Sequence, residues 1–333
     1  MKKDAILTEV SREESSVVYQ ISDNLETTVN RYILSTPETR AICNDPLVLG
    51  YEYTEKLEAA CAAFFRLTAQ ATPIALQEKR SVVFNILRGG LNFGLRGALA
   101  KAFGWNTHSS SFVTAQRARS DEDSEQWHIT EDEYKKITFP ESAQIIIGDV
   151  VATGTSLRHG LDIMINEAIQ QGTELGSILF FTIGGPISEE RLIEADTACR
   201  KHFPNYKGTY VCYIEGRFFV PTVESKVSIK ITGTDLMRCD SLMAPEFIES
   251  NFSAPSYPLE RCTIYDAGSR AFQVTEYLED VIEYWQSVLG LAQTMTFAEM
   301  MAERFPELDI SRFGNVSLEQ VAKERLQKLS ALR

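Results

Sequence analysis

One stretch limits the fold of this chain more than any other: Ile145-Ile146-Ile147-Gly148-Asp149-Val150-Val151-Ala152-Thr153-Gly154-Thr155-Ser156-Leu157. Three consecutive β-branched apolar residues predict a short buried strand, with an acidic residue at its carboxyl end. A Thr-Gly-Thr-Ser turn then leads into a long amphipathic segment. Such a strand, small-residue loop and helix suits a phosphate monoester. Backbone N–H groups converge in the loop, and Thr155 or Ser156 can cap the helix and donate a hydroxyl to an anion held at its positive end. Asp149 falls where open α/β sheets bind their ligands, and a carboxylate there accepts hydrogen bonds from sugar hydroxyls. An ordinary strand-to-helix connection would use the same Thr-Gly pair; it is the whole run that favours phosphate.

Residues 145–157 resemble the phosphoribosyl pyrophosphate motif of type I phosphoribosyltransferases: an apolar strand, two acidic residues, two apolar ones, then Ala-Thr-Gly-x-Thr/Ser. The chain departs from the motif at the first acidic position, Gly148, so only Asp149 remains to hold the ribose diol. That implies weaker binding of the donor, or a changed donor. Ala152 stands where hypoxanthine-guanine enzymes of the family carry an Asp that acts on the purine, which argues against that subclass.

A second stretch repeats the design. Residues 82–87 (Val-Val-Phe-Asn-Ile-Leu) predict a buried strand, Arg88-Gly89-Gly90 a tight turn, and 91–103 a helix ending at Gly104. The two glycines allow close approach of backbone to a ligand, and Arg88 supplies a cation, a combination suited to a pyrophosphate. A turn with an exposed arginine would read the same by itself. Its spacing before the phosphate loop makes it similar to the pyrophosphate-binding loop of phosphoribosyltransferases, and the Leu-Arg-Gly-Gly-Leu run is most similar to uracil phosphoribosyltransferases.

Residues 109–113 predict a short strand, after which Thr114-Ala115-Gln116-Arg117-Ala118-Arg119 runs into the polar stretch 120–133, expected to be a mobile loop or hairpin. The resemblance implies that this segment folds over the donor, excludes water and brings Arg117 or Arg119 to the leaving pyrophosphate. Its acidic run (Asp121, Glu122, Asp123, Glu125) equally suits a solvated loop. Tyr134 to Pro140 looks like the approach to the phosphate loop in uracil enzymes. Farther on, Asp266-Ala267-Gly268-Ser269-Arg270 resembles a segment that lies near base and ribose there, placing Asp266 among the candidate contacts; a capped helix start is the plain alternative. The resemblance covers roughly residues 82–187.

Elsewhere the pattern marks architecture. Residues 11–80 read as mostly helical, with 23–34 weakly periodic and 53–71 rich in Ala, Leu, Glu and Phe. Helices are expected over 157–171 and 189–201, strands over 177–183 and 208–214, an irregular or β-rich insertion over 217–259, and closing helices over 273–292, 296–305 and 317–332. With 333 residues, 44% of them hydrophobic, the chain can bury a sizeable core. A formal charge of −13 opposes general binding to nucleic acid or an anionic membrane. The six scattered cysteines include no Cys-x-x-Cys pair, so buried reduced thiols are expected. No apolar run of about eighteen residues suggests a span, and residues 1–10 lack a signal-peptide core, which predicts a cytoplasmic protein.

The expected fold is α/β, type I phosphoribosyltransferase-like: a mostly parallel sheet flanked by helices over 81–215, an N-terminal helical segment (1–80) and a C-terminal extension (216–333). The expected activity is transfer of 5-phosphoribosyl from its pyrophosphate donor to a nitrogenous base, pyrimidine-like or specialised, with Mg²⁺ on pyrophosphate and ribose oxygens and Asp149 as the one possible direct ligand. A homodimer is expected. A non-catalytic donor or nucleotide sensor of the same fold is the alternative, favoured by Gly148; a scaffold built on the C-terminal helices leaves two phosphate-type loops without purpose.

Overall fold

The computed structural model describes residues 5–24, 27–119, 127–131 and 134–332, giving the strand path but not the side chains of 116–119 and 127–131. In chain order the elements are β1 (Ile6–Glu13), β2 (Ser16–Ser22), β3 (Asn30–Ser35), α1 (Pro37–Asn44), α2 (Gly50–Thr68), β4 (Ser81–Leu87), α3 (Leu95–Phe103), β5 (Ser109–Thr114), β6 (Gln116–Arg119), β7 (Trp127–Glu131) and β8 (Lys135–Lys136). There follow β9 (Ala143–Val151), α4 (Thr155–Gln171), β10 (Leu175–Gly184), α5 (Ile187–His202), β11 (Thr209–Phe219), β12 (Met237–Met243), α6 (Pro245–Ser250), α7 (Ala267–Phe272), α8 (Val274–Leu291), α9 (Phe297–Arg304) and α10 (Leu318–Ser330).

Among the described residues one ten-stranded sheet runs β1-β2-β3-β11-β10-β9-β4-β5-β8, with β12 on β11. Its centre, β3 through β5, is parallel, and β1, β2, β8 and β12 join antiparallel. Strands buried on both faces read as continuous apolar runs rather than alternations. Ile145, Ile146 and Ile147 are accordingly all buried, as is every residue of β10.

The strand order has one reversal that matters. From β4 the chain steps outward to β5, whereas β9, β10 and β11 step the opposite way from the other side of β4. Right-handed crossovers in opposite directions put α3 on one face and α4 and α5 on the other. Ligands of open α/β sheets bind in the crevice at the carboxyl ends of the strands where the order reverses, here between β4 and β9.

The N-terminal segment corrects the sequence reading. Residues 11–13, 16–22 and 30–35 are strands, not helix, and extend the same sheet. Val29, Tyr32, Ile33 and Leu34 are buried, and β3 pairs with β11 in a register that no local period encodes. The helix expected over 53–71 does form, as α2, and its Phe64 and Phe65 rings sit edge-on to Phe181 at 5.1 and 5.4 Å. The helix expected from residue 91 is divided. Gly89–Phe93 is a 3₁₀ turn, Gly94 adopts a left-handed φ of 54°, and α3 starts only at Leu95.

The C-terminal extension docks on α1 through arginines. Arg270, fully buried, donates Nε–H to Val48 O (2.6 Å) and Nη2–H to Ile42 O (3.1 Å) and Asp45 O (2.8 Å). Arg238 Nη2–H reaches Cys43 O at 2.7 Å. Both cations thus gather at the negative end of α1, where the carbonyls lack helical partners. Residues 217–259 are partly regular: 217–219 end β11, 237–243 form β12, and the proline-rich part folds into short helices. The closing helices occur as α8, α9 and α10. All six cysteines are buried and none forms a disulfide. Among the described residues no helix is long and apolar enough to cross a membrane.

Candidate active site

β4 and β9 deliver both sequence motifs to one cleft of about 670 Å³ at their carboxyl ends. Arg88, Gly89, Asp149, Ala152, Gly154, Ser156 and Asp266 line it; Gly90, Thr153 and Thr155 do not. The Leu87–Arg88 peptide at the end of β4 is cis, and Arg88 is exposed.

The 3₁₀ turn after Arg88 lies directly on β9, and the glycines on both sides make that contact feasible. A Cβ at Gly89 would stand 2.7 Å from Asp149 Oδ1, and one at Gly90 3.1 Å from Gly148 O. A Cβ at Gly148 would stand 2.4 Å from Phe93 Cγ, because the fully buried Phe93 ring fills that volume. The missing acidic residue is therefore a packing feature: turn and strand close on each other through Phe93. Asn92, also buried, donates Nδ2–H to Ala267 O at 3.1 Å and so joins this turn to the opposite wall.

β9 runs through Val151, so Asp149 belongs to the strand rather than following it. Its carboxylate is half-buried, and Oδ1 accepts the Val150 N–H at 2.9 Å. At the start of α4 the side-chain cap expected from Thr155 or Ser156 does not form. Gly154 occupies the N-cap position at φ 74° with no side-chain cap hydrogen bond. Ser156 Oγ–H instead donates to Ala115 O at 2.9 Å, tying the loop to the root of the β6–β7 hairpin. The positive end of a 17-residue helix thus faces the cleft, where its first-turn N–H groups suit an anion.

The hairpin itself is observed: β6 and β7 pair antiparallel, Arg117 opposite Ile129 and Arg119 opposite Trp127. The Arg117 and Arg119 side chains, and residues 120–126, 132 and 133, lie outside the described residues.

Asp266 sits at the cleft lip as the N-cap of α7, its Oδ1 accepting Gly268 N–H (2.8 Å) and Ser269 N–H (3.0 Å). The capped helix start is therefore what this motif builds, and Arg270, which follows it, points into the core. The sequence reading missed the rest of this wall: Ile231, Thr234, Asp235, Arg261, Tyr265, Glu276 and Asp280. No motif joins these residues; they come from a loop, a bend and α8. Arg261 pairs with both oxygens of Asp280, at 2.9 and 3.0 Å, approaches Asp235 Oδ1 with Nε at 3.3 Å, and lies 4.8 Å over the Tyr265 ring. Burial pushes the Asp235 carboxyl above its usual range despite Arg261. Burial also opposes the Arg261 charge, but Cys262, Asp235 and Asp280 outweigh it and the guanidinium is held more firmly protonated.

Among the described residues no three His, Cys, Asp or Glu side chains converge as a metal site. With Phe93 in the place of a side chain at 148, Asp149 is the carboxylate that the described residues of β4 and β9 bring to this end of the cleft. Hard divalent cations such as Mg²⁺ are commonly held this way, by one or two carboxylates and substrate oxygens.

No protein-family model matches this chain, and no curated protein does. Solved structures do show a partial likeness. Hypoxanthine phosphoribosyltransferase from Staphylococcus aureus is 16% identical, over 50% of this chain and 77% of that one, with a TM-score of 0.28. Purine phosphoribosyltransferase from Pyrococcus horikoshii is 15% identical, over 50% and 88%, with a TM-score of 0.25. Hypoxanthine-guanine phosphoribosyltransferase from Bacillus anthracis is 12% identical, over 49% and 78%, with a TM-score of 0.26. At these values the architecture stands on the strand order and the cleft at its reversal: a mixed α/β protein with a mostly parallel central sheet and its candidate site between β4 and β9.

Proposed function

We propose that this protein transfers a 5-phosphoribosyl group from its pyrophosphate donor to a nitrogenous base. The observation that carries the reading is the meeting of two separate loops, Arg88–Gly89 and Ala152–Ser156, around Asp149 at the reversal of strand order. In this reading the first turn of α4 holds the 5-phosphate, Asp149 accepts hydrogen bonds from the ribose diol, and Arg88 with the backbone of the glycine turn holds the diphosphate. Arg117 or Arg119 of the hairpin is assigned to the leaving diphosphate, as the resemblance implies. A Mg²⁺ ion on the diphosphate, with Asp149 beside it, would neutralise part of the leaving group's charge.

The reaction needs little covalent chemistry from the protein. The acceptor nitrogen forms a bond to the anomeric carbon as the bond to the diphosphate oxygen breaks; the diphosphate leaves with that electron pair, and the acceptor's N–H proton passes to solvent. Holding the reactants in line and stabilising the departing charge are the contributions these residues can make. The acceptor, pyrimidine-like or specialised, belongs against residues 231–280.

One observation favours a second reading. Phe93 fills the place of the other carboxylate, which suits a sensor that binds the donor or a nucleotide without turnover. Calorimetry with phosphoribosyl pyrophosphate and Mg²⁺, followed by pyrophosphate release with a panel of bases, separates the two. Binding with release supports the transferase, binding without release supports the sensor, and no binding overturns both.

A further inference from the structure

We infer that the second reactant in this cleft is a neutral or cationic base presenting N–H donors, and that carboxylate-bearing bases are excluded by the wall built from residues 231–280. The inference rests on the phosphoribosyl-transfer reading and names its acceptor class.

The argument begins with Arg261, the one cation among the described residues of that wall. An anionic acceptor would need it, yet its guanidinium is already committed. Both terminal nitrogens face Asp280, Nε faces Asp235, and the plane is stacked on Tyr265. The side chain is 10% exposed, so it cannot swing to a new partner without abandoning the buried Asp235 and its two hydrogen bonds to the half-exposed Asp280. At the cleft surface Asp235 and Asp280 set two carboxylates around this one guanidinium. Glu276 and Asp266 add two more on the same surface, and neither has a cationic partner among the described ion pairs. Among the described residues the other cation lining the cleft is Arg88, at the glycine turn. A carboxylate brought against residues 231–280 would therefore meet acceptors and like charge, and leave them unpaired with it. A base offering N–H groups would meet the acceptors it needs. The wall is also fixed from behind. Arg304, buried, donates Nη1–H to Arg261 O at 3.0 Å and Nη2–H to Ile229 O, holding the bend and the loop that supply most of these groups.

The test uses the full chain. Calorimetry with phosphoribosyl pyrophosphate and Mg²⁺ comes first, then pyrophosphate release with uracil, cytosine, adenine and hypoxanthine against orotate and nicotinate. The expected result is donor binding, with kcat/KM for at least one neutral base exceeding that for orotate and nicotinate by at least about a hundredfold, since like-charge contacts cost that much or more. Glu276→Gln, at an exposed position, should narrow the gap by roughly tenfold without changing the donor Kd; Asp280→Asn, which frees one side of Arg261, should narrow it as well. Wild-type turnover of orotate or nicotinate comparable with that of the neutral bases overturns the inference and leaves the transfer reading intact. If the donor binds without release, the same bases are titrated into donor-loaded protein; selective binding of a neutral base supports the inference, and equal, reversed or absent binding overturns it. Failure to bind the donor removes the transfer reading and the inference with it.

Discussion

Phe93 occupies the volume that any side chain at position 148 would require: a Cβ built on Gly148 lies 2.4 Å from Phe93 Cγ, and the ring is fully buried. The glycine in the phosphate motif and the phenylalanine in the glycine-rich turn are thus one adaptation made at two places in the chain. Gly148→Asp should therefore destabilise the protein by roughly 1–3 kcal/mol through overpacking and should not tighten donor binding. Adding Phe93→Ala to it should cost less than the two changes summed, by about 1 kcal/mol. Urea denaturation of the two single variants and the double variant measures this; simple additivity would show that the two residues do not share a volume.

Gly89 and Asp149 form a second such pair, with 2.7 Å between a Cβ at 89 and Asp149 Oδ1. Gly89→Ala is expected to displace the carboxylate and weaken donor binding about tenfold or more, which is what losing a charged hydrogen bond costs. In an Asp149→Ala background the same change should have little further effect. Calorimetry on the four proteins reads the coupling, and equal losses in both backgrounds would separate the turn from the carboxylate.

Arg270 predicts a stability effect away from the cleft. Its removal takes the buried donor from the carbonyls of Ile42 and Val48, while Asp45 O keeps the Val48 N–H. Arg270→Met should cost on the order of 3 kcal/mol, visible as a lower urea midpoint and as earlier proteolysis within 267–291. A variant as stable as the parent would mean that the extension is held by its apolar contacts alone.

Glu215 sets a pH dependence. It is fully buried beside Thr39, and burial pushes its carboxyl up to about 8, hydrogen bonds from Thr39 and Ser35 offsetting only part of that. An unfolded glutamate titrates near pH ~4.3. The folded state therefore keeps a proton that the unfolded state loses, so stability is highest below about pH 4.3 for this group and falls as pH rises toward 8, by a few kcal/mol in all. Denaturation midpoints of Glu215→Gln followed from pH 5 to 9 should decline less than those of the parent. Parallel profiles would assign the dependence to other groups.

The local part of the site was legible because its cause is local. An apolar run before a small-residue turn reads as a buried strand, and two such units, at 82–90 and 145–157, were readable with their order and spacing, although the first enters a 3₁₀ turn before its helix. The same holds for α2, α4, α5 and α8 to α10, whose apolar faces repeat along the chain itself. Segment 23–34 was misread because its strand is decided by pairing with β11, some 180 residues away, and a weak local period carries no information about such a partner.

The cleft as a whole belongs to tertiary structure. Sequence alone determined that a phosphate-type loop, a glycine turn with an arginine and an aspartate exist, because backbone freedom, charge and helix polarity are properties of short segments. Only the fold decided that they face one another, since the reversal of strand order sets β4 beside β9. Only the fold filled the space at Gly148 with Phe93, sent Arg270 to the end of α1 instead of the ligand, and assembled Asp235, Arg261, Glu276 and Asp280 into the opposite wall. Each of these depends on close approach between residues far apart in the chain, and packing at that range is fixed by the whole core rather than by any stretch of it.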